Sequence, residues 1–351
     1  MAAPKWLLIE TFGERPEPSV IAVGRSPKRF VPLENIVHHR TTLAETKRAI
    51  TAVTVEHTTI DQVSGDRSRR TIAVPLAISA SRLHGLMVWS GSPDEVVPPR
   101  DPAGAWLFDL TEDTSLRSDD LLTVYGIPPE QHPEQRIQSI AGVYSAPLIS
   151  NHRDEGTALA RIVRPEDGQE TQSLWTLTSP DGQLRALHYS CRQMSETGPD
   201  GIVHHLVRGI THDIGPATGN PVAPPSNTLD DRVMDSIADD GAYRAIVNPT
   251  TLRLLRWVGP SLPRLAWQAL PGQPLPAVHP DDIAAARALL DSAQREQSTG
   301  HIRMRALDGA WLRLEVRAKP IDLDPSTTAA LVTLRPTSDS GSPQSPADQR
   351  D

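Results

Sequence analysis

Two stretches far apart in the chain share one pattern: an alternating apolar run, an Asp-Gly pair, and a second alternating run. Ser173–Tyr189 (SLWTLTSPDGQLRALHY) carries it around Asp181-Gly182, and His301–Val316 (HIRMRALDGAWLRLEV) around Asp308-Gly309, roughly one domain length later. An Asp-Gly pair between alternating runs is the strongest short signal for a β-hairpin. Side chains alternate between the faces of a strand, so only registers that gather the apolar residues of both strands on one face are allowed. In the later stretch a three-residue loop, Asp308-Gly309-Ala310, meets this condition. It sets Ile302, Met304 and Ala306 against Leu312, Leu314 and Val316, and pairs Arg303 with Glu315 on the outer face. The same rule pairs Leu177 with Leu187 and Trp175 with Tyr189 in the earlier stretch.

An amphipathic helix precedes each hairpin, Arg153–Ile162 in one case and Asp281–Leu290 in the other, the latter opening on acidic residues that suit a helix N-terminus. A short apolar strand follows each, Leu206–Ile210 and Ala329–Leu334, and earlier strands Ala105–Leu110 and Tyr243–Val247 complete the units. The first ninety residues repeat the scheme more loosely, with a helix at Leu43–Val53, strands at Arg70–Leu76 and Gly85–Trp89, and extra strands at Trp6–Phe12 and Ser19–Gly24. The Pro-rich runs Ser92–Pro102 and Gly215–Ser226 read as extended linkers, and the polar tail Thr337–Asp351 as disordered. The expected organisation is α+β: domains at residues 1–92, 104–214 and 229–336, linkers at 93–103 and 215–228, and a tail at 337–351.

Composition narrows the function. A net charge of −8 disfavours nonspecific nucleic-acid binding, and 4% aromatic residues leave little for a base-stacking surface. A single cysteine, Cys191, removes disulfide frameworks and cysteine-ligated metal clusters and fits a reducing compartment. Apolar stretches such as Thr71–Ala80 fall far short of a membrane span, so the expectation is a cytoplasmic protein that engages neither membrane nor nucleic acid. No nucleophile elbow, phosphate loop or dinucleotide-binding glycine run is present, and no stretch is left over for a kinase, cyclase or helix-turn-helix effector, so no enzymatic activity is expected.

The last segment carries His279-Pro280-Asp281-Asp282 before its helix and Asp308-Gly309 followed by Trp311-Leu312. The middle one carries Trp106-Leu107-Phe108-Asp109, then Ser118-Asp119-Asp120-Leu121 leading to Tyr125-Gly126-Ile127-Pro128, and closes on Gly209-Ile210-Thr211-His212-Asp213-Ile214. In order and spacing these residues resemble PAS sensory domains. The middle segment departs from the pattern at Asn151-His152-Arg153-Asp154, where His-Pro-Asp-Asp is usual, and at His212 and Gly215 in its closing strand. The resemblance covers residues 100–336; the first segment follows by analogy and could equally be GAF-like. It implies three tandem PAS-like domains, each a five-stranded antiparallel sheet with helices on one face. It also implies a sensory or regulatory role exercised through a small-molecule ligand, a protein partner or self-association. A scaffold with filled domain cores and no ligand is the rival reading.

The candidate pocket comprises Trp106, Phe108, Tyr125, Trp175, Leu177, Leu187, Tyr189 and Cys191 on the inner side of the middle sheet, where the aromatic side chains form either a core or the lining of a ligand site. No cofactor is identified by the sequence. Cys191 lies on a late strand rather than in the helical Asn-Cys-Arg motif of flavin-adduct domains, which favours a buried, inert thiol. His204 and His205, adjacent on a strand, point to opposite faces and cannot chelate one ion; no metal site is expected. His279 and Asp282 read as a helix cap rather than an acid–base pair. Trp311 among the arginines of the last hairpin reads as part of a solvated face or, by composition, as a docking surface.

Overall fold

The computed structural model describes residues 4–13, 18–79, 82–145, 152–179, 182–199, 201–217, 241–268 and 278–337, with the backbone alone at 152–154. Asn151, Asp181, Asp239-Asp240, most of the second Pro-rich run and the tail beyond 337 lie outside these residues. The strands form three sheets in which every pairing is antiparallel. The first contains β1 (Leu7–Glu10), β2 (Ser19–Val23), β3 (Ser26–Pro32), β4 (Ile60–Val63), β5 (Arg70–Ser79) and β6 (Arg82–Gly91), in the order β3-β2-β1-β6-β5-β4, with helix α1 (Arg40–Glu56) inserted before β4. The second contains β7 (Ala103–Asp109), β8 (Thr114–Arg117), β9 (Ile137–Ser139), β10 (Glu170–Thr178), β11 (Leu184–Thr197) and β12 (Val203–Pro216), ordered β10-β11-β12-β7-β8-β9. Its helices are α2 (Asp119–Val124), α3 (His132–Gln135), α4 (Ile140–Tyr144) and α5 (His152–Val163). The third contains β13 (Tyr243–Val247), β14 (Leu254–Val258), β15 (Ser298–Arg305), β16 (Trp311–Asp324) and β17 (Thr327–Pro336), ordered β14-β13-β17-β16-β15, with helix α6 (Ile283–Ala293). The class is α+β, but the first two sheets have six strands rather than the expected five.

Both Asp-Gly hairpins form, with their apolar sets on one face and a register two residues from the expected one. Ala306 donates its N–H to Ala310 O at 2.8 Å, so the loop is Leu307-Asp308-Gly309, and Asp308 Oδ1 accepts the Ala310 N–H at 3.0 Å. Gly309, with φ 84°, takes the left-handed last position of this three-residue loop. Ile302 therefore opposes Leu314 and Met304 opposes Leu312; Arg303 faces Arg313, and Glu315 faces His301. In the second sheet Trp175 opposes Leu187, Tyr189 opposes Ser173, and Leu177 opposes Arg185, correcting the expected Leu177–Leu187 and Trp175–Tyr189 pairs. A slip of two preserves the face of every side chain, which is why the alternation alone could not resolve it.

The first two sheets belong to one compact unit, Met1–Ser226, and pack face to face. One side of the first sheet meets α1 through Ile9, Val20, Ala49, Ile50, Val53, Leu86 and Val88. The other side joins Trp6, Leu8, Phe12, Ile21, Phe30, Met87 and Trp89 to Ala103 and Ile210 of the second sheet. Gly85 permits the approach, since a Cβ there would stand 2.6 Å from Ile210 Cδ1. Polar groups are buried in the same seam. Arg192, with a side chain 7% exposed, lies 3.1 Å from both Glu10 and Glu170, and Glu10 also accepts from Ser19 Oγ and the Phe12 N–H. Arg208 donates to the backbone oxygens of Phe12 and Leu83. The first Pro-rich run, expected as an extended linker, is bound to this unit: Val97 packs into the seam, Pro98 O accepts from Trp6 Nε1 at 2.8 Å, and Asp101 pairs with Arg25 at 2.6 Å.

His188 and His212 oppose each other across β11 and β12, both buried. Burial lowers the His188 imidazole to about 4, and lowers His212 as well. A folded-state value below the unfolded one means that the unfolded chain binds the proton first. Stability is therefore expected to fall as pH drops from about 6.5 toward 4. The variant His188→Gln should flatten part of this fall in urea midpoints taken across that range; an unchanged slope would refute the assignment. Arg192→Ala, which strands Glu10 in the seam, is expected to lower unfolding free energy by about 3 kcal/mol or more in urea titrations at neutral pH.

Candidate functional site

The face of the second sheet turned away from the seam carries the aromatic cluster. Trp106 and Phe108 lie two apart on β7, Tyr189 and Cys191 two apart on β11, and Trp175 projects from β10, so alternation brings all five to one side. Trp106 lies flat over Gly209, where a Cβ would meet the indole at 2.2 Å, and its Nε1 donates to Thr211 Oγ1 at 3.1 Å. Helices cover the face. Ser118 caps α2 by accepting the Leu121 N–H, Ser139 caps α4 by accepting the Gly142 N–H, and Leu121, Val143, Tyr144 and Ile162 close over the aromatics. Ring centroids are 4.8 Å apart for Trp106–Phe108, 5.3 Å for Trp175–Tyr189 and 6.3 Å for Tyr144–Trp175.

These side chains enclose a cavity of about 50 Å³. Of the eight residues singled out from the sequence, Trp106, Phe108, Tyr125, Trp175, Tyr189 and Cys191 line it. Leu177 and Leu187 do not; they pack with Val124 in an adjoining apolar cluster nearer the hairpin end. The sequence reading missed the polar wall, Ser115 and Arg117 on β8 together with Thr171, Arg161 and Gln193, and also missed Tyr144. The spacing of Ile140, Val143 and Tyr144 behind a serine cap was a usable helix signal; Thr114-Ser115-Leu116-Arg117 offered no apolar alternation.

The electrostatics of the site are those of a small, largely apolar cavity. Burial pushes the Tyr125 hydroxyl and the Cys191 thiol up to about 12, and raises Tyr144 well above the ordinary phenol range. Burial also lowers Arg117, whose Nη2 donates to Gln135 O while its Nε has no hydrogen-bond partner. Ser115 is fully buried, and its Oγ is likewise without a partner. Two residues apart on one strand, these groups present to the same face two buried donors whose hydrogen bonds are unmade.

The remaining candidates have separate partners. His204 Nδ1 lies 2.7 Å from Asp109 Oδ2, and His205 Nδ1 lies 3.0 Å from Ser195 Oγ. Among the described residues no three His, Cys, Asp or Glu side chains gather as metal ligands. In the third sheet's unit His279 Nδ1 accepts the Asp281 N–H at 3.2 Å, as a cap would. Asp282 instead binds the Arg303 N–H and guanidinium at 2.7–2.9 Å, and those bonds lower its carboxyl to about 2. Trp311 is 38% exposed, with the His279 ring 4.5 Å and the Arg305 guanidinium 5.4 Å from its own ring. Among the described residues no helix is long and apolar enough to cross a membrane.

Three family models match the chain in succession: Rv3651-like, N-terminal, at residues 5–99; Rv3651-like, middle domain, at 102–213; and Rv3651-like, C-terminal domain, at 227–343. The chain is similar over 95% of its length, and 97% of the other's, to the crystal structure of an uncharacterized protein from Mycobacterium tuberculosis, at 27% identity and a TM-score of 0.79. Remoter likenesses are to an RNA-binding light-oxygen-voltage receptor (13% identity, TM-score 0.24, 67% of this chain and 95% of that one) and to a sensory box histidine kinase/response regulator from Burkholderia thailandensis (15%, 0.23, 39% and 85%). No curated protein matches in sequence.

A thiol held up to about 12 inside the chamber stays protonated at pH 8. Cys191 is therefore expected to resist an aromatic disulfide reagent in the native protein and to react stoichiometrically once urea unfolds it. Rapid labelling of the native protein would contradict the burial of Cys191.

Proposed function

The chain belongs to the Rv3651-like family, and we propose that it is a non-enzymatic regulatory protein whose middle domain senses a small molecule and reports it to a protein partner. The observation that supports this reading is the aromatic chamber with two unmade hydrogen bonds, at Ser115 Oγ and Arg117 Nε. Apolar walls with a few convergent polar groups are the usual form of a small-molecule site. The chemistry fits a compact, largely apolar molecule bearing a carbonyl or carboxylate for Arg117 and Ser115. The PAS-like order of motifs in residues 100–336 points the same way.

A chamber of about 50 Å³ is far smaller than the roughly 300–1,000 Å³ of ordinary ligand pockets. A ligand must therefore displace α4 and α5, which roof it. Such a ligand has different affinity for the closed and opened arrangements, which is the requirement for two-state signalling. The small volume also favours the second reading, a scaffold with filled cores. We assign the action to the cytoplasm, in keeping with one reduced, buried thiol.

Native mass spectrometry of the protein purified from its own host tests the reading. A bound small molecule is expected, lost in the double variant Ser115→Ala, Arg117→Gln while the variant keeps a cooperative thermal transition. A clean polypeptide mass together with no thermal shift from small carboxylates would leave the scaffold reading in its place.

A further inference from the structure

Arg117 is 6% exposed, yet the groups that meet it are neutral. Its Nη2 donates to Gln135 O, Gln135 Oε1 lies 3.5 Å away, and its Nε has no hydrogen-bond partner. Among the described residues no carboxylate forms an ion pair with it. Arg192, buried to the same degree, lies 3.1 Å from both Glu10 and Glu170. A guanidinium keeps its charge in a protein, and a buried charge without a counter-charge is costly. Strand register fixes where Arg117 stands. Arg117, Trp106, Gly209, Cys191 and Thr171 form one row across β8, β7, β12, β11 and β10. The adjoining row runs Ser115, Phe108, Val207 and Gln193. Residues directly opposite on neighbouring strands share a face, so the cavity floor has Arg117 and Ser115 together at its β8 end and aromatic side chains beside them.

No aspartate or glutamate lines the cavity, and burial holds the Tyr125 hydroxyl and the Cys191 thiol up to about 12, so both stay neutral near pH 7. A second cation, the half-buried Arg161 of α5, lines the wall beside Gln193, whose Nε2 donates to Arg161 O at 3.0 Å. The lining therefore carries positive charge and no negative charge. We propose that the cavity takes an organic monocarboxylate in its ionised form, an inference that rests on the small-molecule reading of the middle domain. The carboxylate sits against Arg117 and Ser115, and an aromatic or branched apolar body lies along Trp106 and Phe108. A carboxylate accepts from the Ser115 hydroxyl and the Arg117 Nε–H together and also supplies the missing counter-charge; a neutral carbonyl supplies only the acceptor. A phosphate ester brings roughly −1.5 to −2 charges and three acceptor oxygens, more than one buried guanidinium and one hydroxyl can meet.

Tryptophan fluorescence and thermal-shift titrations of the full-length chain test it, with benzoate, phenylacetate and 3-methylbutanoate set against their primary amides at pH 7.5. At least one acid is expected to bind, about tenfold or more tighter than its own amide, because hydrogen bonds to charged groups are the strong ones. Arg117→Gln should bring that acid and its amide to parity, Arg117→Lys should keep part of the preference, and Arg161→Gln should weaken the acid by about threefold or less. The acid–amide comparison uses the unmodified chain, so it holds even where a variant fails to fold. Amides that bind as tightly as their acids would overturn the anion and leave a sensing cavity in place. If no probe binds, the molecule that copurifies from the host decides. An acid lost from Arg117→Gln upholds the proposal; a neutral compound overturns it alone, and a clean polypeptide mass overturns the sensing reading as well.

Discussion

Burial of one sheet against another governs most of what distinguishes the first 226 residues. Once the helix-free faces of the first two sheets meet, their strands are covered on both sides, and period-two alternation gives way to continuous burial. Strand β6 is buried at eight of its ten positions, and β11 at eight consecutive ones. In the third sheet β16 retains the alternation in which Leu314, Val316 and Ala318 point inward and Arg313, Arg317 and Lys319 outward. The same fold element thus takes two sequence signatures, according to what lies on its second face.

That difference explains how far the sequence could be read. The hairpins around Gly182 and Gly309 were legible because alternation assigns faces, and the faces held. Their register was not, because a slip of two residues leaves the pattern of faces untouched. The sheet-to-sheet seam was hidden for a different reason. Glu10, His188, Arg192, Arg208 and His212 point into it, and a strand face bearing charges reads as solvent-exposed. Strands β8 and β9 were invisible for want of apolar alternation, and with them went Ser115 and Arg117, the polar half of the chamber. Six of the eight residues picked for the pocket line it because inward-facing aromatics on neighbouring strands must converge; Leu177 and Leu187 share the face but sit toward its end.

The three modules put the same scaffold to different uses. The first supplies a sheet covered on both sides, by α1 and by its neighbour. The second keeps a small interior space, and its short, serine-capped helices are the elements most easily displaced, since few backbone bonds hold them. The third packs one face of its sheet against α6 in a core of its own. Sensing, in the function proposed above, belongs to the module whose interior is incompletely filled.

The pair Glu10–Arg192 gives the two amino-terminal modules a shared fate. Each carries half of a charge pair that water no longer reaches, and each contributes large apolar side chains to the same seam. Cutting the chain at the Pro-rich run would leave either half with an oily, charged plane open to solvent, suited to aggregation rather than to independent life. Although family models divide this region in two, selection and engineering alike must treat residues 5–213 as a single object.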